Sequence, residues 1–178
     1  MALQKKHYIG MLTAGVIALT AGTASQQGYL PKWEGPVKAT QVAIHQKFDP
    51  RGVVTVCSGI TNYDIKTLKP GDVYTRAMCD DALAAALPKY NAMLASCLPP
   101  DFAVSDHQHT AMLSFVYNVG RGNFCNSLVG REFRAGNRAA GCRAMGNFTR
   151  AAGKKLAGLV RRRYEKFDGE IAWCLRED

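Results

Sequence analysis

Asp49-Pro50-Arg51-Gly52-Val53-Val54-Thr55-Val56-Cys57-Ser58-Gly59-Ile60-Thr61 is the stretch that decides the architecture. Asp-Pro-Arg-Gly is turn chemistry, Val53 to Cys57 is a β-branched run, and Ser58-Gly59 ends it, so a short strand or hairpin is predicted here. Beyond it the chain reads as helix. Thr75 caps a pattern in which Leu83, Leu87, Tyr90, Leu94 and Cys97 share one stripe, predicting a long helix over 76–98 with a kink at Pro88. Ser105-x-x-Gln108 forms a capping box ahead of Ala111, Met112, Leu113, Phe115, Val116 and Val119, and Gly120 supplies the stop. That helix is apolar nearly all round, hence central. Further helices are expected over 127–135, 138–145 and 159–175, with breaks at Gly136 and Gly146. On the N-terminal side, 33–45 reads as a helix interrupted early by Gly35 and Pro36, preceded by a polar linker over 25–32. The fold class is α+β, mostly helical, with a small N-terminal β lobe and a helical C-terminal lobe in one domain over 33–178.

Composition narrows the function classes. Of 178 residues 47% are apolar and 21% charged, which excludes a disordered chain, a collagen-like fibre and a polytopic membrane protein. Six cysteines at 57, 79, 97, 125, 142 and 174 contain no Cys-x-x-Cys pair to begin a zinc or redox site, so the even, scattered set reads as disulfides. Disulfides call for an oxidising compartment, and residues 1–24 suggest how the chain reaches one. Lys5 and Lys6 precede Tyr8 to Ala24, 17 residues without a charge, the layout of an export signal. At 1.5 Å per residue the stretch spans about 25 Å, short of the ~30 Å hydrocarbon core. Ten of its residues are Gly, Ala or Thr, which gain little from lipid. Such a helix could enter a membrane and leave again. Gly22-x-Ala24 before Ser25 also fits a small-x-small cleavage site, so a signal anchor and a cleaved signal peptide both stand.

The net charge of +9 is unevenly placed. Residues 25–120 hold eight basic and eight acidic side chains, whereas 121–178 hold thirteen basic against six acidic. Arg131, Arg134, Arg138, Arg143, Arg150, Lys154, Lys155 and the run Arg161-Arg162-Arg163 suit a polyanion. For an exported chain that means cell wall and anionic lipid, with no nucleic acid partner.

Before Asp72 the acidic residues are only Glu34, Asp49 and Asp64, so an acid/base pair here has few candidates. Glu34 lies between Trp33 and Gly35, an apolar setting of the kind a general acid uses, while Asp49 sits in a polar turn. Two carboxylates in unlike environments are what glycoside hydrolysis employs, one protonating the leaving oxygen and the other serving water or the sugar. Other readings stay open. Cys57 with His45, His107 or His109 would make a cysteine-dependent peptidase acting on wall peptides. His107 and His109 equally suit a solvated first helical turn, and Tyr117 and Asn118 suit either a cleft or core packing. A non-catalytic cationic wall binder needs only the C-terminal basic helices.

Trp33-Glu34-Gly35 followed by the 49–61 stretch resembles the glutamate, aspartate and threonine blocks of phage-type lysozymes, the endolysins of glycoside hydrolase family 24. Gly71-Asp72-x-Tyr74-Thr75, Phe115-Val116-Tyr117-Asn118-Val119-Gly120 and Gly158-Leu159-Val160-Arg161-Arg162-Arg163 are similar to its later blocks. The N-terminal segment resembles that of signal-anchor-release endolysins. The resemblance implies a lysozyme-like fold and cleavage of the β-1,4 bond between N-acetylmuramic acid and N-acetylglucosamine of peptidoglycan. It implies Glu34 as general acid, Asp49 as the carboxylate positioning water on the opposite face of the sugar, and Thr55 as a hydroxyl helping to hold that water. It further implies a monomer with no cofactor or metal, tethered at the inner membrane and then periplasmic in the bacterial host. Cys97–Cys174, Cys125–Cys142 and Cys57–Cys79 are the pairings it suggests. Glu34 and Asp49 stand 15 residues apart, a wider spacing than the family usually has, taken up between Gly35 and Phe48.

Overall fold

A computed structural model of the chain describes residues 7–8, 24–34, 38–45 and 52–176. Its elements run, in chain order, β1 (His7–Tyr8), α1 (Ala24–Glu34), β2 (Thr40–Val42), β3 (Ile44–His45), β4 (Val54–Val56), β5 (Ile60–Thr61), β6 (Val73–Thr75) and α2 (Arg76–Ala95). There follow β7 (Ala103–Val104), α3 (Asp106–Val119), α4 (Arg121–Asn126), α5 (Leu128–Arg134), α6 (Arg138–Ala144), a 3-10 turn (Met145–Asn147), β8 (Arg150–Ala151), β9 (Lys154–Lys155), α7 (Ala157–Tyr164) and α8 (Glu170–Cys174). The α+β class with small antiparallel sheets and a helical majority is what the sequence led us to expect. Of the described residues, those within 19–88 form one compact unit, and those within 1–18 and 89–178 form another.

In the unit over 19–88, β3, β4 and β5 make an antiparallel sheet with β4 central, Ile44 opposite Thr55 and Val56 opposite Ile60. Along β4 the alternation of a strand buries Val54 and Val56 and turns Thr55 to the other face. The hairpin turns on Cys57 (φ 57°) and Gly59 (φ 82°). A cysteine in the left-handed region costs roughly 1 kcal/mol or more, and its bond to Cys79 on α2 holds it there. β2 and β6 pair separately, from Thr40 opposite Thr75 to Val42 opposite Val73. The helix expected over 33–45 is therefore corrected: α1 stops at Glu34 and the chain continues as β2 and β3. Ala43, buried between those strands, donates to the Asp72 carbonyl and accepts from Gly71 N–H, pairings that local helix propensity cannot outweigh. Residues 25–32, read as a polar linker, belong to α1. Burial of Tyr29 and Leu30 overrides the helix-weakening Gly28 and Pro31.

The core of the second unit is α3. Ser105 accepts from Gln108 N–H at its start and every residue from Gln108 to Tyr117 is buried. Gly120 (φ 80°) ends it. The Gln108 amide does not close the capping box but donates to Cys142 Sγ at 3.7 Å. Around α3 the rings of Phe115, Phe124, Phe133 and Phe102 contact one another in sequence, with centroids 6.1 to 6.3 Å apart. The helix expected over 159–175 is two, α7 and α8. Between them the Glu165 carboxylate accepts from the backbone N–H groups of Phe167 and Asp168, and a side chain at Gly169 would strike the Glu165 backbone. Helix α4 and the β8–β9 hairpin were not foreseen. Pro88 lies inside α2, as expected. Of the apolar stretch 8–24 only its two ends are described: Tyr8 pairs with Ala103 in β7, and Ala24 opens α1.

All six cysteines are bonded, in the order 57–79, 97–125 and 142–174. The first pairing agrees with expectation and the other two correct it. Arg121 Nε donates to Ser96 Oγ (2.8 Å), and Arg134 donates to the Cys97 carbonyl, fastening the end of α2 to α4 and α5, where Cys125 sits. Cys174 on α8 meets Cys142 because α8 packs on α6.

Candidate active site

Glu34 is the last residue of α1 and half-buried. The preceding turn is anchored by an i, i+4 aromatic pair, Tyr29 and Trp33, whose rings meet edge-on at 6.3 Å. Lys32 places its ammonium 5.2 Å from the Trp33 ring. Since Tyr29 and Leu30 are buried, the turn that carries Glu34 is held by packing upstream of it.

Thr55 lies mid-strand in β4, and its Oγ1 donates to the Ile60 carbonyl at 3.1 Å. A hydroxyl has one hydrogen and two acceptor lone pairs. With the hydrogen committed to the backbone, what Thr55 can offer a water molecule is an acceptor, fixed in direction by the strand. Glu34 and Thr55 lie in the same compact unit. Asp49, with Phe48 and Pro50 on either side, lies outside the described residues. Asp64, the remaining acid of this region, is taken up by its turn: its carboxylate accepts from the Thr61 N–H (3.1 Å) and Thr61 Oγ1 (3.0 Å).

The peptidase reading falls because Cys57 is bonded to Cys79 and has no thiolate to attack with. His109 is not a solvated first-turn histidine: it is buried and shares a 2.7 Å hydrogen bond with Asn91 Oδ1. His107 sets its ring against Trp173 at 4.9 Å. Tyr117 is buried against Tyr90, centroids 4.6 Å apart, which is the core-packing role. The run Arg161-Arg162-Arg163 is not one exposed basic face. Arg161 is exposed, whereas Arg162 and Arg163 are buried and share Glu170, itself fully buried. Ser114 Oγ donates to the same carboxylate (2.6 Å), and Arg163 Nη2 donates to Asn118 Oδ1 (2.5 Å). Two guanidiniums share this one carboxylate, and bonds from Arg162 to Ser114 and from Arg163 to Asn118 help offset their desolvation.

An open cavity of about 410 Å³ in the C-terminal unit is lined by Val119, Gly122, Asn123, Asn126, Ser127 and Phe148. Its amide and hydroxyl groups were missed in the sequence because α4, which carries the first of them, was missed. Asn123 Nδ2 donates to the Val119 carbonyl (2.7 Å), and Ser127 Oγ to the Phe124 carbonyl (3.1 Å), which leaves Asn123 one N–H and its carbonyl oxygen, and Ser127 its lone pairs, for further bonds. Among the described residues no group of three His, Cys, Asp or Glu side chains could hold a metal ion.

The profile described as phage lysozyme matches residues 33–166, from Trp33 beside Glu34 through α7. The chain belongs to the phage lysozyme family. A relative named SAR-endolysin from Bacteriophage PS119 is 39% identical over 117 residues, 65% of this chain and 66% of that protein. This chain thus matches just under two thirds of that relative's length. Among solved structures, the muramidase domain of SpmX from Asticaccaulis excentricus is similar with a TM-score of 0.70 at 24% identity, over 87% of this chain and 97% of that one. A mutant of P22 lysozyme is similar with a TM-score of 0.67, also at 24% identity, over 86% and 97%. At these identities the two structures attest the phage lysozyme fold.

Proposed function

We propose that this phage lysozyme family member is an endolysin that hydrolyses the β-1,4 bond between N-acetylmuramic acid and N-acetylglucosamine in bacterial peptidoglycan, lysing the host. The observation that carries this reading is that Glu34 and Thr55 stand in the matched segment on ordered elements of one unit. Glu34 gives its proton to the leaving glycosidic oxygen. Asp49 orients water at the anomeric carbon and takes its proton, while Thr55 accepts a hydrogen bond from that water. The new hydroxyls form on the two sugar fragments, and a proton transfer back to Glu34 resets the site.

Residues 8–24 act as a weak membrane anchor, holding the enzyme at the inner membrane before it acts in the periplasm. Supporting this are the 17 uncharged residues after Lys5-Lys6, the name of the PS119 relative, and the bonding of all six cysteines, which suits an oxidising space. Among the described residues no helix is long and apolar enough to cross a membrane, and residues 9–23 lie outside them.

The test is the chemistry of the products. Incubation of the full chain with purified peptidoglycan should release new reducing sugar ends without new free amines. Free amines alone would mean peptide cleavage, and neither product would leave a wall binder.

A further inference from the structure

Among the described residues, no ion pair and no buried side chain of its own offsets the local costs of the β8–β9 hairpin. Arg150 stands directly opposite Lys155, and Ala151 opposite Lys154. Like charges in cross-strand register destabilise a hairpin, and a two-stranded ribbon is marginal on its own. The turn places both Ala152 (φ 47°) and Gly153 (φ 76°) in the left-handed region, where the first position ordinarily calls for Asn, Asp or Gly. Every residue from Arg150 to Gly158 is exposed, so no buried apolar surface offsets these costs. No acidic residue occurs between Glu132 and Glu165, and among the described residues no carboxylate lies within ion-pair distance of Arg150, Lys154 or Lys155. Arg150 donates instead to the Gly153 carbonyl at the tip (3.2 Å). A segment that breaks several local rules at an exposed point, with neither burial nor a counter-charge among the described residues, is where a function is expected.

Its chemistry is narrow. Arg150-Ala151-Ala152-Gly153-Lys154-Lys155-Leu156-Ala157-Gly158 holds three cations and otherwise only Gly, Ala and Leu, with no hydroxyl, amide, carboxylate or aromatic side chain. Sugar recognition would use such polar groups and aromatic platforms. A lipid surface needs cations at phosphate level and an apolar side chain beneath them, and Leu156, beside the two lysines, is 42% exposed. We propose that residues 150–158 form a docking element for an anionic phospholipid surface, with Arg150, Lys154 and Lys155 on headgroup phosphates and Leu156 at the acyl boundary. This is independent of glycan cleavage.

The test is co-sedimentation of the full chain with phosphatidylcholine vesicles and with vesicles that also contain phosphatidylglycerol. The ratio of the two partition constants isolates the anion-dependent part from any contribution of residues 8–24. Each cation near an anionic surface is worth about fivefold, so Arg150→Gln/Lys154→Gln/Lys155→Gln should lower the ratio more than tenfold. A variant of equal charge in the other unit, Lys66→Gln/Lys69→Gln/Arg76→Gln, should lower it less than threefold. Both variants should keep the wild-type far-ultraviolet spectrum and release of reducing ends. Equal losses in the two variants, or a hairpin variant that binds like wild type, would overturn the proposal. So would a hairpin variant that loses binding to purified peptidoglycan but not to vesicles, which would assign the hairpin to the wall polymer.

Discussion

Thr55 Oγ1 donates to the Ile60 carbonyl at 3.1 Å, across the hairpin that joins β4 to β5. The bond fixes the rotamer of a hydroxyl on the strand face opposite to Val54 and Val56, and leaves its lone pairs to receive a water hydrogen. Thr55→Val keeps the shape and removes the acceptor. Water misplaced by about 1 Å costs on the order of 100-fold in rate, and the unpaired carbonyl costs about 1 kcal/mol of stability. Reducing-end release should therefore fall ~100-fold in this variant with only a small loss in thermal unfolding temperature, while Thr55→Ser retains most of the activity. A variant as active as wild type would remove Thr55 from the mechanism.

Glu170 accepts from Ser114, Arg162 and Arg163 with no exposure to solvent. Glu170→Ala removes the carboxylate that two buried guanidiniums share and should destabilise by about 3–5 kcal/mol in urea unfolding. Replacing all three charges together, Arg162→Met/Arg163→Met/Glu170→Leu, should cost less than that single change, because no uncompensated charge remains. A triple variant less stable than Glu170→Ala would contradict this account of the cluster.

A Cβ at Gly141 would meet three ring carbons of Phe133 at 3.0 Å, and Phe133 is itself fully buried between Phe102 and Phe124. The ring has no room to retreat, so Gly141→Ala should destabilise by about 1–3 kcal/mol despite its better helix propensity. Gly136→Ala lacks any such neighbour, but its φ of 80° makes it a backbone-strain control. Thermal unfolding of the two separates overpacking from strain.

Peptide mapping without reduction should recover Cys97 linked to Cys125 and Cys142 linked to Cys174. Loops of 28 and 32 residues imply a stabilisation of about 3–4 kcal/mol each. Recovery of Cys97 with Cys174 would contradict the packing of α8 on α6.

Much of the local chemistry was legible in the sequence. The β-branched run at 53–57, the Ser105 cap, the Gly120 stop and the all-round apolar character of α3 each followed from neighbouring residues. Most of what escaped depended on partners far along the chain. Thr40 to His45 became strands because Tyr74, Thr55 and their neighbours pair with them, and Tyr29 and Leu30 turned a polar-looking linker into helix by burial. Arg162 and Arg163 looked like a solvated patch because Glu170, which makes them internal, lies beyond a turn that periodicity did not reveal. Glu34 and Thr55 were proposed from motif order, whereas the polar cavity at Asn123, Asn126 and Ser127 was hidden with the short helix before it.

The central claim is that Glu34 supplies the proton that breaks the glycosidic bond. Its most direct test is the release of reducing ends from purified peptidoglycan by the oxidised full chain beside its Glu34→Gln variant, both showing the same unfolding transition. A glutamine of the same shape cannot give the proton, and loss of general acid catalysis removes about 10²–10⁴ in rate. The account predicts reducing ends from the wild type and a loss of at least that order in the variant. Equal release from both proteins would contradict it.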